Sequence, residues 1–163
     1  MGVYRDEAEY SSEISAPRLF KALVSDAQNI VPKLLPQVVK SIQVIHGDGG
    51  PGSIREILFT EGEKVKSVKN IIDEMNEEAM TFRYTTVEGD ILEDKFESIA
   101  YEIKFEAKPD GGSNNKININ YNTKGDYEMS EDEIKRGKEM TLGIYKVVEA
   151  YLLQNPHVYA CFH

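Results

Sequence analysis

Seven stretches of the chain carry strand grammar, at 3–12, 38–45, 54–59, 65–72, 80–87, 96–105 and 116–121. The clearest is 96–105, where Ile99, Tyr101, Ile103 and Phe105 alternate with Ser98, Ala100, Glu102 and Lys104. Ile117, Ile119 and Tyr121 alternate in the same way with Asn118 and Asn120. In 80–87, Met80, Phe82, Tyr84 and Thr86 fall on one face and Thr81, Arg83, Thr85 and Val87 on the other. Arg55 stands in line with Ile57 and Phe59, so a cation shares an apolar row. The first stretch mixes Tyr4, Glu7, Glu9 and Tyr10 with no helical stripe. Turn chemistry at Glu61-Gly62-Glu63 and Pro109-Asp110-Gly111-Gly112 keeps the loops short, and short loops between the last six strands imply an antiparallel meander.

Helical spacing takes over in three places. Ser15 as N-cap, with Pro17 in the first turn, starts a short helix whose apolar side is Leu19, Phe20, Leu23 and Val24. Ser25-Asp26 breaks it, and a second short helix with Ile30, Val31 and Leu34 follows, limited by Pro32 and Pro36. Two short helices meeting at a corner make a V. The long helix runs over 130–154, opened by the capping box Ser130-Glu131-Asp132-Glu133 and closed before Pro156. Its stripe is Ile134, Met140, Ile144, Val147, Val148, Tyr151 and Leu152. The expected fold is therefore α+β, a seven-stranded antiparallel sheet wrapped around a long C-terminal helix. Gly137 and Gly143 cost that helix about 1 kcal/mol each relative to alanine. They imply either close packing on the sheet or a helix held off a cavity.

At 163 residues the chain suits a single domain, with the tail 156–163 expected to be loose. A net charge of −9 argues against binding DNA or another phosphate backbone, and against docking on anionic lipid. One cysteine, Cys161, permits no internal disulfide, and no apolar run reaches the roughly 20 residues that span a bilayer. Met1-Gly2-Val3-Tyr4-Arg5-Asp6 meets charge too early for a signal peptide, and Glu7 stands where N-myristoylation wants Ser or Thr. The expected location is cytoplasmic and the expected state a monomer. One Cys and three scattered His give no metal-ligand spacing, so neither metal nor cofactor is expected.

The stretch His46-Gly47-Asp48-Gly49-Gly50-Pro51-Gly52-Ser53 looks like a phosphate cradle but fails the test. A nucleotide loop needs Lys after the last glycine and opens a helix; here Ser53 follows Gly52 and the chain continues as a strand. A rigid hairpin connection fits, with Gly47, Gly49, Gly50 and Gly52 permitting positive φ. This loop, followed by Ser53-Ile54, resembles the signature of the plant pathogenesis-related class-10 proteins, the family of the major birch pollen allergen. So do Met1-Gly2-Val3-Tyr4, Ala16-Pro17-Arg18-Leu19-Phe20-Lys21-Ala22, Thr123-Lys124-Gly125-Asp126 and Glu149-Ala150-Tyr151-Leu152-Leu153, in order and at family spacing.

The resemblance implies a helix-grip fold with a large internal cavity for small hydrophobic or amphipathic ligands such as flavonoids, cytokinins or sterols, in a stress- or defence-related role. It places Ile57, Phe59, Phe82, Tyr84, Ile99, Tyr101, Ile103, Met140 and Ile144 along that cavity. Arg55 matches a position that is commonly Lys and offers a cation to ligand oxygens. Plain core packing is the alternative for the apolar members. It is weaker for Tyr84, Tyr101 and Arg55, since an unpaired polar group in a dry core costs about 1–3 kcal/mol.

Two enzymatic readings stand beside the carrier. Some family members are described as ribonucleases, with residues matching Glu97, Glu149, Tyr151 and the glycine loop as the site. Related norcoclaurine synthases condense metabolites with a catalytic Lys and acidic partners, a constellation not placed in this chain. A third reading, a protein-interaction module like the related abscisic-acid receptors, lacks their gate sequence. The chain departs from the family at His46, where Glu is usual, at Gln28, where Asp is frequent, and in the tail Ala160-Cys161-Phe162-His163.

Overall fold

The computed structural model describes residues 2–160; Met1, Cys161, Phe162 and His163 lie outside the described residues. Strands β1 (Val3–Ser12), β2 (Val39–His46), β3 (Ile54–Glu61), β4 (Lys64–Asn76), β5 (Thr81–Gly89), β6 (Phe96–Ala107) and β7 (Ser113–Thr123) form one sheet in the order β1-β7-β6-β5-β4-β3-β2. Every neighbouring pair is antiparallel. From β2 to β7 the sheet is the expected meander. β1 is instead recruited by β7, with Val3 opposite Asn122 and Ser12 opposite Ser113.

That topology leaves β1 and β2, consecutive in sequence, at opposite edges of the sheet. The short helices carry the chain across. α1 (Ala16–Phe20) passes through a π turn, Lys21–Ser25, into α2 (Ala27–Leu34). The break falls at Ser25-Asp26 as the sequence suggests. Ser15 occupies the N-cap position, but its side chain makes no cap bond. Pro32 lies inside α2 rather than ending it. Leu19, Phe20, Ala22, Val24, Ile30 and Val31 are all buried, which anchors the crossing to the core.

The third helix, α3 (Glu131–Gln154), opens on the capping box read from the sequence. Ser130 Oγ accepts from the Glu133 amide at 3.2 Å and Glu133 Oε1 accepts from the Ser130 amide at 3.2 Å. Burial pushes the Glu133 carboxyl up. Hydrogen bonds from Tyr127 and Ser130 and the Lys95 charge outweigh it, so the group lies below its ordinary 4.5. Ser130→Ala is expected to cost about 1 kcal/mol. The Glu133 share is present above its unfolded pKa and lost as acid protonates it through the lowered folded value. Thermal melts of wild type and S130A check this; equal melting points at neutral pH would rule it out.

Along α3 the buried line is Tyr145, Val148 and Leu152. Met140, placed on the apolar stripe by type alone, is 59% exposed, and Val147 is exposed as well. The helix leans on β1: Lys138 Nζ reaches Asp6 Oδ1 at 3.4 Å, and Tyr10 Oη donates to Glu149 at 2.5 Å. Its C-terminal half also meets α2 and the π turn. Gly137 answers to close packing, since a Cβ there would stand 2.5 Å from Tyr121 Oη. Among the described residues, nothing beyond its own stretch of helix lies within 4 Å of a Cβ placed at Gly143.

Of the tail expected to be loose, 161–163 lie outside the described residues, while in 156–160 Arg18 Nε donates to the Val158 carbonyl at 3.0 Å and Tyr159 Oη donates to Asp26.

Candidate functional site

Strand register decides which side chains share the face that α3 covers. Across β5 and β6, Phe82 faces Ile103, Tyr84 faces Tyr101 and Thr86 faces Ile99. Across β6 and β7, Ile99 faces Tyr121, Tyr101 faces Ile119 and Ile103 faces Ile117. Across β3 and β4, Arg55 faces Asn70 and Ile57 faces Val68. Pleating puts alternate residues on one face. Arg55, Ile57, Phe59, Phe82, Tyr84, Ile99, Tyr101 and Ile103 therefore share one face of the sheet. Ile144 is half-buried on α3, whereas Met140 is not brought to the buried line.

The polar part of this surface is built around Arg55, which is only 7% exposed. Its Nε–H donates to Asn70 Oδ1 at 3.0 Å, and Asn70 is itself buried. The guanidinium carbon stands 5.1 Å from the Tyr84 ring centroid and 5.2 Å from that of Phe82. Phe82 and Tyr84 are 5.1 Å apart, and Tyr84 stacks on Tyr101 at 4.6 Å with an interplanar angle of 17°. A buried cation thus caps a ladder of three rings, an arrangement that ring quadrupoles favour.

Burial lowers the Arg55 pKa, with Tyr84 opposing the shift. Burial raises both Tyr84 and Tyr101, and Arg55 partly restrains Tyr84. All three keep their ordinary charge states at neutral pH: one cation and two neutral phenols. Among the described residues, neither tyrosine hydroxyl has a hydrogen-bond partner. Both rings are only half-buried by exposure although they sit on the inner face. Closer to the C-terminal half of α3, Tyr145 Oη and Asn115 Oδ1 are buried without partners among the described residues.

The glycine loop is a closed turn. Gly47, Gly49 and Gly52 adopt φ of 95°, 99° and 89°. The Gly49 amide donates to Ser53 Oγ at 2.8 Å, the Gly50 amide to Asp48 Oδ1 at 2.9 Å, and the Gly52 amide to the Ile72 carbonyl at 2.8 Å. Amides already used in this way are not free to cradle a phosphate. His46 is exposed beside the loop, and Gln28 is exposed on α2.

Glu97, Glu149 and Tyr151 are not brought together. Glu97 is exposed at an irregularity where β6 begins. Glu149 is bound by Tyr10, which pairs with Asn115 opposite Phe105. Eight residues along β6 separate the two levels, roughly 27 Å at strand spacing. The Tyr151 ring lies toward α2, with Lys33 Nζ 5.9 Å from its centroid. Among the described residues no group of three His, Cys, Asp or Glu could hold a metal, and no helix is long and apolar enough to cross a membrane.

Two members of this surface escaped the sequence reading. Asn70 is the polar residue at inward parity between Val68 and Ile72, and that parity was its signal. Tyr145 stands three residues before Val148 and seven before Leu152, the spacing of a buried helical line.

The family model described as "Pathogenesis-related protein Bet v 1 family" matches residues 1–155. The chain is 48% identical over 159 residues to the major strawberry allergen Fra a 1.05 of Fragaria ananassa, covering 98% of this chain and 99% of that protein. It is 46% identical over 159 residues to the major allergen Pru ar 1 of Prunus armeniaca, with the same coverage. Among solved structures, Ara h 8.0201 superposes with a TM-score of 0.86 at 33% identity, over 94% of this chain and 99% of that one.

Proposed function

Because the chain belongs to the pathogenesis-related protein Bet v 1 family, we propose that it is a cytoplasmic carrier or sensor of small hydrophobic or amphipathic metabolites, held in an internal cavity between the sheet and α3. The role fits stress or defence, and the ligand classes are flavonoids, cytokinins and sterols. One observation carries the reading: Arg55, Tyr84 and Tyr101 converge on the inner face, and the two hydroxyls have no partner among the described residues. In a dry core each unpaired group would cost about 1–3 kcal/mol. A space filled by solvent or ligand removes that cost. Apolar walls from Ile57, Phe59, Phe82, Ile99 and Ile103 then supply affinity by burial, while the polar groups orient the ligand.

The test is thermal-shift and calorimetric titration with a panel of flavonoids, cytokinins and sterols, on wild type and Tyr84→Phe. Saturable micromolar binding is expected, weakened about three- to tenfold in the variant, the worth of one hydrogen bond. If no compound binds while purified protein degrades RNA and loses that activity in Glu149→Gln, the carrier reading falls.

A further inference from the structure

Arg55 has a feature that a generic apolar pocket does not require. It is a permanent cation, since guanidinium does not give up its proton in proteins, and it is 93% buried, the complement of its 7% exposure. Among the described residues no carboxylate forms an ion pair with it; its protein contacts are a neutral amide and two ring faces. Among the described residues only its Nε is hydrogen-bonded. The two terminal nitrogens have no hydrogen-bond partner among the described residues, and they are not among the buried atoms sealed from water-sized space. The terminal nitrogens therefore keep accessible surface and unused donors, on a side chain that strand parity places on the inner face of the sheet. Their forked edge matches a carboxylate bidentately, with two parallel N–H···O bonds. Asn70, Phe82 and Tyr84 fix its orientation from the other sides.

We propose that the preferred occupant is an amphipathic carboxylic acid, whose carboxylate pairs with the free edge of Arg55 while its ring or chain lies against Phe82, Tyr84 and Tyr101. This rests on the cavity reading above and specifies the charge of the ligand. A buried charge is strongly disfavoured until it is paired. The ligand brings the missing counter-charge, and the neutral Tyr84 and Tyr101 hydroxyls are donors to its second lone pairs. The net charge of −9 works in the opposite direction, because a surface of that sign repels anions at long range. A preference for an anion must then come from the local cation.

The experiment compares naphthalene-2-carboxylate with naphthalene-2-carboxamide by isothermal titration at pH 7.5, in 0.05 and 0.5 M NaCl. The two share one apolar body and differ in charge. Wild type is expected to bind the carboxylate at least tenfold more tightly, with the ratio kept at high salt, where surface repulsion is screened but a buried pair is not. Arg55→Gln is expected to erase the ratio, the carboxylate losing at least tenfold more affinity than the amide, and Arg55→Lys to keep part of it. Circular dichroism melts test whether both variants fold; if the Gln variant does not, the wild-type ratio and the Lys variant decide. Equal or tighter binding of the amide by wild type overturns the proposal, as does a ratio that survives in Arg55→Gln. Binding of neutral flavonoids or sterols with neither naphthalene probe bound overturns it while leaving the carrier reading standing. If no probe and no panel compound binds, the carrier reading itself fails.

Discussion

Replacing Gly89 by alanine is expected to destabilise the protein by about 3 kcal/mol or more, the largest effect of any single methyl group considered. Gly89 has φ +127°, where a side chain is strained. A Cβ there would also stand 2.4 Å from the Ser67 carbonyl oxygen and 2.6 Å from Val68 Cα. Both obstacles are backbone of the neighbouring strand, so no side chain can swing aside. Strain and overpacking contribute about 1–3 kcal/mol each. For a chain of this length the melting point should fall by roughly 6–12 °C. Gly52→Ala is the control: its φ is +89°, but no atom lies within 4 Å of the added carbon. It should lose only the strain, about 1–2 kcal/mol. Equal melting points for the two variants would show that the approach of β4 to β5 at Gly89 is not tight.

Arg18→Met is expected to cost about 2–3 kcal/mol and to loosen the end of α3. Pro156 has no N–H to complete the helical bond to the Leu152 carbonyl, so the end is closed by tighter bonds, the Asn155 amide donating to Leu152 at 3.3 Å and the Val158 amide to Asn155 at 3.0 Å. Arg18 Nη2 donates to the carbonyls of Leu152 at 3.2 Å and Asn155 at 3.0 Å, while Nε serves Val158. A cation also suits the negative end of the helix dipole. Methionine preserves the apolar stem and removes all three bonds. Faster amide exchange over the last two turns of α3, with a lower melting point, is the expected result. Unchanged exchange there would mean that burial of Val148 and Leu152 holds the helix end without Arg18.

Legibility in the sequence followed local physics. The capping box was readable because two side chains three residues apart complete each other's bonds. The strands were readable where parity was kept and lost where it was broken. β4 continues to Asn76, past the expected end at Ile72, because an irregularity between Ile72 and Glu74 shifts the alternation and brings Met75 opposite Phe82. Met80, read as the first residue of a strand face, sits at φ 57° in the turn before β5. The inner-face placement of Arg55, Tyr84 and Tyr101 followed from parity alone. Asn70 did not, because an apolar criterion discards the polar residue that completes the arginine's environment. On α3, selection by residue type picked up Met140 and Val147 and passed over Tyr145. Which side of a helix is buried depends on where β1 and α2 meet it, and that is long-range information.

The recruitment of β1 by β7 also sets the order in which the molecule can be assembled. The Gly2 amide donates to Thr123 Oγ1 across 121 residues of chain. At about 5–20 residues per second, the first strand leaves the ribosome on the order of ten seconds before its partner exists. The meander from β2 to β7 can zip up hairpin by hairpin, with low loop-closure cost at each step. β1 can only wait. Its alternating Arg5, Glu7 and Glu9 are a gatekeeping charge pattern that discourages a bare strand from pairing with other chains meanwhile. β1 is thus made before its partner and joins the sheet late, and closure of the β1 edge is the step on which a slow refolding phase should depend.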